Sequence, residues 1–158
     1  MDLGSAPGGW VQAAREIVGS KGFVLGVDLK QMEAFAQHNV RTMIGDISEP
    51  ETLKQIAEQL PRKADSIISD ASPNISGVWE VDHACQIDLA DQALNIALET
   101  LKPAGNFFVK IFQGDLLDDF VKRVRQHFEV VDVIKPKASR ARSSEMYVLA
   151  RRLRKTAE

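Results

Sequence analysis

The feature that most constrains the fold is an alternation of short apolar runs with longer segments of helical period along the 158 residues. Between the runs, apolar residues recur every three to four positions around 11–18, 53–60 and 87–101, which is typical of amphipathic helices. Such alternation predicts stacked βαβ units and therefore an α/β fold. The strand-length runs cover residues 23–27, 40–44, 66–68, 106–112, 128–134 and 146–150.

Composition is that of one compact domain, with 44% hydrophobic and 27% charged residues. A single cysteine, Cys85, excludes an internal disulfide framework. No stretch approaches the roughly 18 apolar residues of a membrane span, and the first residues do not resemble a signal peptide. We therefore expect one domain over residues 1–158, in the cytoplasm and without a membrane partner.

Local signals suggest where elements begin and end. Gly19 and Pro103 follow two helical segments, and Ser48 with Glu51 fits a capping box at the start of another helix. Asp2 and Leu3 read as the end of a strand whose earlier residues are absent from the sequence. The three histidines have no mutual ligand spacing, so no metal site is predicted.

A glycine-rich loop, DLGSAPGGW over residues 2–10, joins that strand to the first helix. Glycines at such a junction let a ligand approach the backbone and the N–H groups of the helix. A P-loop would need Lys and Ser or Thr directly after Gly9, and the dinucleotide pattern G-x-G-x-x-G is also absent. The loop therefore suits a ligand without phosphates.

Two aspartates follow neighbouring strands of the predicted sheet. Asp28 ends the second strand and can accept both hydroxyls of a ribose, while Asp46 ends the third and can accept from an adenine amino group. Together with the glycine loop they suit a nucleoside. The alternative is that both carboxylates only cap the helices that follow.

Three further charged residues fall at strand ends. Asp70 follows the fourth strand, Lys110 interrupts the apolar run 106–112, and Glu145 begins the last strand. A lysine in such a run is costly unless it is paired or functional. Each of these residues could belong to a structural ion pair. Their predicted proximity to the ligand instead favours a catalytic role for the three together.

Basic residues concentrate at the carboxyl end, where residues 135–158 hold eight Lys or Arg against two acidic residues. The rest of the chain carries a net charge of −8. This basic end suits nucleic acid, a membrane surface or simple solubility. A solvated, frayed end is the alternative for its last four basic residues, Arg151, Arg152, Arg154 and Lys155.

Four motifs carry a resemblance that extends from Met1 to about Arg151. They are DLGSAPGGW at 2–10, SDASPN at 69–74, FVKIFQG at 108–114 and KPKASRARSSE at 135–145. All four resemble the FtsJ (RrmJ, RlmE) family of ribosomal RNA ribose methyltransferases. The resemblance implies a Rossmann-like methyltransferase fold: a mostly parallel seven-stranded sheet with an antiparallel last strand and helices on both faces. It also implies S-adenosylmethionine as donor, no metal, a monomer, and large-subunit ribosomal RNA as partner.

The resemblance also implies roles for individual residues. The donor would be bound by Gly4, Ser5, Pro7, Gly8, Gly9, Trp10, Asp28, Asp46 and Asp70. The catalytic residues would be Lys110, Asp70 and Glu145. The RNA would be bound by Lys135, Lys137, Arg140 and Arg142. The family has one more catalytic lysine, upstream of the glycine loop, which this sequence does not contain; we expect that residues before Met1 are missing.

These roles predict 2′-O-methylation of a ribose, at a uridine by family implication. Carboxylates beside Lys110 favour its ammonium form, a poor base, so we expect it to orient the hydroxyl and stabilise developing negative charge. Two alternatives remain at this stage: the same reaction on transfer RNA, or an inactive RNA-binding or ribosome-assembly module that retains the donor pocket.

Overall fold

A computed structural model describes residues 1–136 and 143–155, and these form a seven-stranded sheet with helices. The strands follow the order β3-β2-β1-β4-β5-β7-β6, and β7 runs antiparallel to both of its neighbours while the other pairs are parallel. This confirms the predicted seven-stranded architecture and its antiparallel last strand. The strands are β1 (Asp2–Leu3), β2 (Val24–Asp28), β3 (Val40–Ile44), β4 (Ala64–Ser69), β5 (Leu101–Phe112), β6 (Phe128–Ile134) and β7 (Glu145–Leu153).

Four helices within the described residues connect the strands, and they pack on both faces of the sheet. On β5, Phe107, Val109 and Ile111 join the main core, which also contains the apolar residues of the third and fourth helices. The alternate residue Phe108 points to the opposite face, where it stacks on Trp10 of the first helix. The helices are α1 (Gly9–Val18), α2 (Pro50–Gln59), α3 (Trp79–Thr100) and α4 (Leu117–His127).

Helix α4 was not predicted from the sequence. Its buried residues Phe120, Val121 and Val124 lie three to four positions apart, which is the helical spacing. The signal was therefore present between the strands at 106–112 and 128–134. None of the helices in the described part of the chain is long and apolar enough to cross a lipid bilayer.

The structure corrects the predicted capping box. Helix α2 begins at Pro50 with Glu49 as its N-cap, and no side chain caps it. The Ser48 hydroxyl donates to Asp46 Oδ1 at 2.7 Å instead. Proline fits the first helical turn because it lacks the N–H that would need a partner there. The helix therefore starts one residue later than a Ser48 cap would require.

Two predicted boundaries at the carboxyl ends of elements are also corrected. Leu101, assigned from its spacing to a helix, is the first residue of β5, and Pro103 lies inside that strand. Arg151 and Arg152 belong to β7 rather than to a frayed end, because they pair with Asp132 at 2.9 Å and Glu129 at 2.8 Å on β6. Pairing with the neighbouring strand orders both arginines.

Candidate active site

A cleft of about 390 Å³ opens at the carboxyl ends of β1, β2, β3 and β4, where four neighbouring parallel strands stop. Four residues predicted to bind a ligand line it: Gly4, Asp28, Asp46 and Asp70. A larger cavity of about 830 Å³ lies against α1, and its lining includes Ile17 and Phe108 but none of these four. The smaller cleft is therefore the one that gathers the polar groups at the strand ends.

Gly4 is the residue of the loop that the geometry most requires to be glycine. Its φ is +73°, and its N–H donates to the carbonyl of Val27 at 2.8 Å. A Cβ at this position would lie 2.6 Å from the Cα of Ala71, which directly follows Asp70. The loop after β1 therefore packs backbone against backbone on the loop after β4, and this contact forms one wall of the cleft.

The other predicted loop residues surround the cleft without lining it. The Ser5 hydroxyl donates to the sulfur of Met32 at 3.3 Å. Gly8 adopts a φ of +117° at the N-cap of α1, and a Cβ there would lie 2.9 Å from the ring of Phe35. Pro7 follows a cis peptide bond, and Gly9 is the first residue of α1. These residues shape the loop and the start of the helix.

Trp10 lies on the α1 face of the sheet and not in the cleft lining. Its ring stacks on Phe108 at 6.0 Å and on Tyr147 at 6.1 Å between ring centroids. Trp10 therefore packs against the aromatic residues beside Lys110, and its contact with the donor stays a prediction.

The Asp28 carboxylate is held in place by the backbone. Its Oδ2 accepts from the N–H of Ala6 at 2.9 Å, and its Oδ1 accepts from the N–H of Lys30 at 2.8 Å. Each oxygen retains a second lone pair, so both can still accept a hydroxyl of a ligand in the cleft.

Asp46 caps the turn that follows β3 and does not cap α2. Its Oδ1 accepts from the N–H of Ser48 at 2.9 Å and from the Ser48 hydroxyl, and these bonds hold the pKa of its carboxyl below the ordinary value. Its Oδ2 has no partner among the described contacts and remains available at the cleft.

Asp2 is a buried carboxylate that the sequence reasoning did not select. It lies on β1 directly before the glycine loop, and neither of its oxygens has a hydrogen-bond partner among the described residues. Burial raises the pKa of Asp2 to about 7; the positive amino group of Met1 opposes this shift, and the negative charges of Asp70 and Asp28 add to it. An unpaired buried carboxylate of this kind suits a cationic ligand group.

We expect Asp2→Asn to remove a pH dependence of stability. The raised pKa means that the folded protein keeps a proton that the unfolded chain loses. The contribution of Asp2 to the free energy of unfolding is therefore fully present below about pH 4 and is lost as pH rises through 7. The loss corresponds to at most about 4 kcal/mol in the free energy of unfolding. Urea titrations of the ligand-free protein at pH 5 and pH 8 measure this. Equal pH dependence in the original protein and the variant would contradict the assignment to Asp2.

The three residues predicted to be catalytic meet at the edge of the cleft. Lys110 is 6% exposed, and its Nζ lies 3.3 Å from Asp70 Oδ1 and 3.8 Å from Glu145 Oε1. The strand pairing explains the contact, because Glu145 opposes Phe112, two residues beyond Lys110 on the same face. A buried amine thus lies between two partly exposed carboxylates.

Tyr147 completes this group and was missed from the sequence. Its hydroxyl donates to Asp70 Oδ1 at 3.0 Å, the oxygen that also faces Lys110. Burial, followed by the charge of Asp70 and this hydrogen bond, raises the pKa of Tyr147, so it stays protonated as a donor. Strand alternation from Glu145 could have indicated it, since residues two apart share a face of the sheet.

Of the residues predicted to bind RNA, the described part of the chain includes only Lys135. This side chain is exposed, and its Nζ donates to the carbonyl of Ser143, just before β7. Lys137, Arg140 and Arg142 lie outside the described residues. Ser143 lies two residues before Glu145, so this hydrogen bond holds the Lys135 side chain next to the start of β7.

A sheet of this order, with a polar cleft at the carboxyl ends of its central strands and β7 antiparallel, defines the class of Rossmann-like methyltransferase folds. The FtsJ-like methyltransferase family model matches residues 1–153. The chain belongs to this family.

Similar proteins extend the comparison. The chain is 54% identical to the ribosomal RNA large subunit methyltransferase E of Methanocaldococcus jannaschii, over 96% of this chain and 63% of that protein. It is 50% identical to the protein of the same name from Methanothrix thermoacetophila, over 97% of this chain and 58% of that one. The chain thus spans about three fifths of the length of these relatives.

Solved structures share the fold. A Plasmodium falciparum protein described as a ribosomal RNA methyltransferase superposes with a TM-score of 0.85 at 24% identity, over 96% of this chain and 84% of that one. Human methyltransferase-like protein 13 in complex with SAH gives a TM-score of 0.62 at 14% identity, over 95% and 69% of the two chains.

Proposed function

We propose that this protein transfers a methyl group from S-adenosylmethionine to the 2′-hydroxyl of a ribose, at a uridine of large-subunit ribosomal RNA. The observation that carries the proposal is the buried Lys110 between Asp70 and Glu145, at the edge of a nucleoside-sized cleft. The relatives named as ribosomal RNA large subunit methyltransferases support the substrate class. We propose that residues 1–158 form one domain that works as a monomer without a metal.

The residues that line the cleft fit the donor. Asp28 offers two acceptor oxygens for a ribose, and Asp46 offers Oδ2 for an amino group. The close approach at Gly4 leaves backbone as the cleft wall. Asp2 is fully buried and does not line the cleft, but its negative charge directly before the loop would favour an ammonium group there. When bound, the donor supplies a methyl group already activated by its sulfonium.

The chain's own residues then have to align the acceptor hydroxyl and manage its charge. Lys110 can donate to the hydroxyl oxygen and stabilise the negative charge that develops there as the proton is lost. Asp70, held by the Tyr147 hydroxyl, orients the ammonium from one side, and Glu145 lies on the other. Holding the reacting atoms in this geometry is the main contribution expected of the protein.

The basic residues before β7 are proposed to bind RNA phosphates. Lys135, Lys137, Arg140 and Arg142 occupy ten residues directly before Glu145 in the sequence. Contacts to phosphate release counterions, so RNA binding should weaken as salt is added.

Asp28→Asn is expected to weaken donor binding by about 10- to 100-fold, because a hydrogen bond to a charged group contributes roughly 1.5–3 kcal/mol. The new amide would also face the N–H of Ala6, which now donates to Oδ2. Calorimetric titration with S-adenosylhomocysteine measures the affinity. Asp118→Asn, an exposed carboxylate on α4, controls for the loss of one charge and should bind normally. Equal affinity of the two variants would exclude Asp28 from the donor site.

Transfer of labelled methyl from S-adenosylmethionine, followed by alkaline hydrolysis of the RNA, tests the proposed reaction. A 2′-O-methyl group blocks cleavage at its own linkage, so label in an alkali-resistant dinucleotide would establish ribose methylation. Naked ribosomal RNA, whole large subunits and transfer RNA are compared as acceptors. Label only in transfer RNA would overturn the proposed substrate, and donor binding without any transfer would favour an RNA-binding or assembly module.

A further inference from the structure

Gln86 of α3 connects the two chain segments that carry Asp70 and Lys110. Its Nε2 donates to the carbonyl of Ala71 at 3.1 Å and to the carbonyl of Lys110 at 3.1 Å. Asp70 and Lys110 form an ion pair at 3.3 Å, and Ala71 directly follows Asp70. One amide group therefore binds the backbone of Lys110 and the backbone next to Asp70.

The place of this contact in the sheet explains why a side chain is needed there. The register between β4 and β5 ends with the pair Ser69 and Val109, and β4 itself ends at Ser69. Lys110 is the first β5 residue beyond the part of the strand that pairs with β4. The amide of Gln86 bridges the segments at the point where the pairing stops.

The chemistry of the contact is specific to a primary amide. Two carbonyl oxygens require two N–H donors directed from one atom, and an NH₂ group provides both without a charge. The same two carbonyls determine the orientation of the amide, since the reverse orientation would place Oε1 against both of them. Asparagine has the same group on a side chain one methylene shorter, so it would not reach as far.

The amide of Gln86 is buried, and only its donor side has partners among the described residues. Gln86 is 1% exposed, and its Oε1 has no donor among the described residues. An apolar side chain of similar size would remove that acceptor, but it would also leave the carbonyls of Ala71 and Lys110 without this donor. Because both donors bind the segments that carry Asp70 and Lys110, the amide is placed to set the separation of those two residues.

We propose that Gln86 is a positioning residue for methyl transfer: its amide sets the separation of Asp70 and Lys110 by holding the loop after β4 to the end of β5. The proposal rests on the proposed function, because it concerns the geometry of that reaction. Gln86 does not line the cleft, so its effect should fall on the rate of transfer and not on donor binding.

Gln86→Met keeps the length of the side chain and removes both donors. We expect kcat to fall about 10- to 100-fold, since a misplacement near 1 Å can cost about 100-fold, while the affinity for S-adenosylhomocysteine and the KM for RNA change less than about two-fold. Gln86→Asn keeps the NH₂ group but is one methylene too short to reach both carbonyls, so it should lower kcat in the same way. It replaces Gln86→Met if that variant does not fold.

Thr100→Val provides a matched control on the same helix. Thr100 is buried, its hydroxyl donates to the carbonyl of Ile96, and it lies fourteen residues from Gln86, about 21 Å along α3. Each variant is assayed at the same interval below its own Tm, so that lost stability is matched. A fall in kcat equal to that of Thr100→Val, or a loss of donor affinity in Gln86→Met, would overturn the positioning role.

A crystal structure of Gln86→Met gives a readout that does not depend on activity. The distance between Asp70 Oδ1 and Lys110 Nζ should lengthen from 3.3 Å. An unchanged distance would overturn the proposal whether or not the protein transfers methyl groups. Absence of transfer by the original protein would instead reject the proposed function, and the distance would still test the role of Gln86.

Discussion

Lys110→Met is expected to lower the rate of methyl transfer by about 100- to 1000-fold or more, the loss typical of removing one electrostatic donor from a transition state. Lys110 is almost fully buried, and its Nζ lies within 4 Å of both Asp70 and Glu145. Methionine fills similar space without a charge or a donor. The hydroxyl of the substrate would then lose the group that aligns it and balances its developing charge.

Donor binding should remain within about two-fold in this variant, because Lys110 does not line the cleft that holds Asp28 and Asp46. Single-turnover transfer and calorimetric titration with S-adenosylhomocysteine separate the two properties. Lys122→Met is the control, since this exposed lysine pairs with Asp119 on α4. Loss of donor binding in Lys110→Met would place the lysine in the donor pocket, and an unchanged rate would remove it from the reaction.

Gly4→Ala is expected to lower the free energy of unfolding by about 2–5 kcal/mol, from backbone strain at positive φ and from overpacking. The added Cβ would lie 2.6 Å from Ala71 Cα, 2.8 Å from its Cβ and 2.8 Å from its N. Two of these atoms belong to the backbone, so a side-chain rotation cannot relieve the contact. Displacement of Ala71 would move Asp70 and open the wall of the cleft, and we expect donor binding to be lost as well.

Gly77→Ala separates the two contributions. Gly77 has a φ of +86°, similar to that of Gly4, but a Cβ there would meet nothing within 4 Å. It should therefore lose only about 1–2 kcal/mol, the cost of the left-handed backbone alone. Urea titration of both variants measures the difference. If Gly4→Ala is no less stable than Gly77→Ala, the contact with Ala71 is not what requires glycine.

Local pattern was sufficient for much of the fold. The runs at 40–44 and 128–134 match β3 and β6 in full, because each is rich in β-branched or aromatic residues. Boundaries failed where a neighbouring strand decided them. Leu101 had helical spacing, yet it pairs with Ala64 and begins β5, and Arg151 and Arg152 are held in β7 by ion pairs across to β6.

Some residues of the site could be predicted from the sequence, and others could not. Asp28, Asp46 and Asp70 could be placed from the sequence, since a polar residue at the carboxyl end of a parallel strand must lie at one edge of the sheet. Lys110 was identifiable because an amine within an apolar strand needs a partner. Asp2 and Gln86 could not be assigned, because their importance depends on which groups they contact or fail to contact. Tyr147 shares a face of β7 with Glu145, but its contact with Asp70 is visible only in the structure.

The sequence by itself determined the α/β alternation, the glycine loop and the family resemblance, because each is written in residues that are close together along the chain. Only the tertiary structure decided which polar groups meet. Tyr147 reaches Asp70 across 77 positions, and Gln86 reaches Lys110 across 24. Strand order and register bring these groups together, and a shift of one residue in β7 would turn Tyr147 to the opposite face of the sheet.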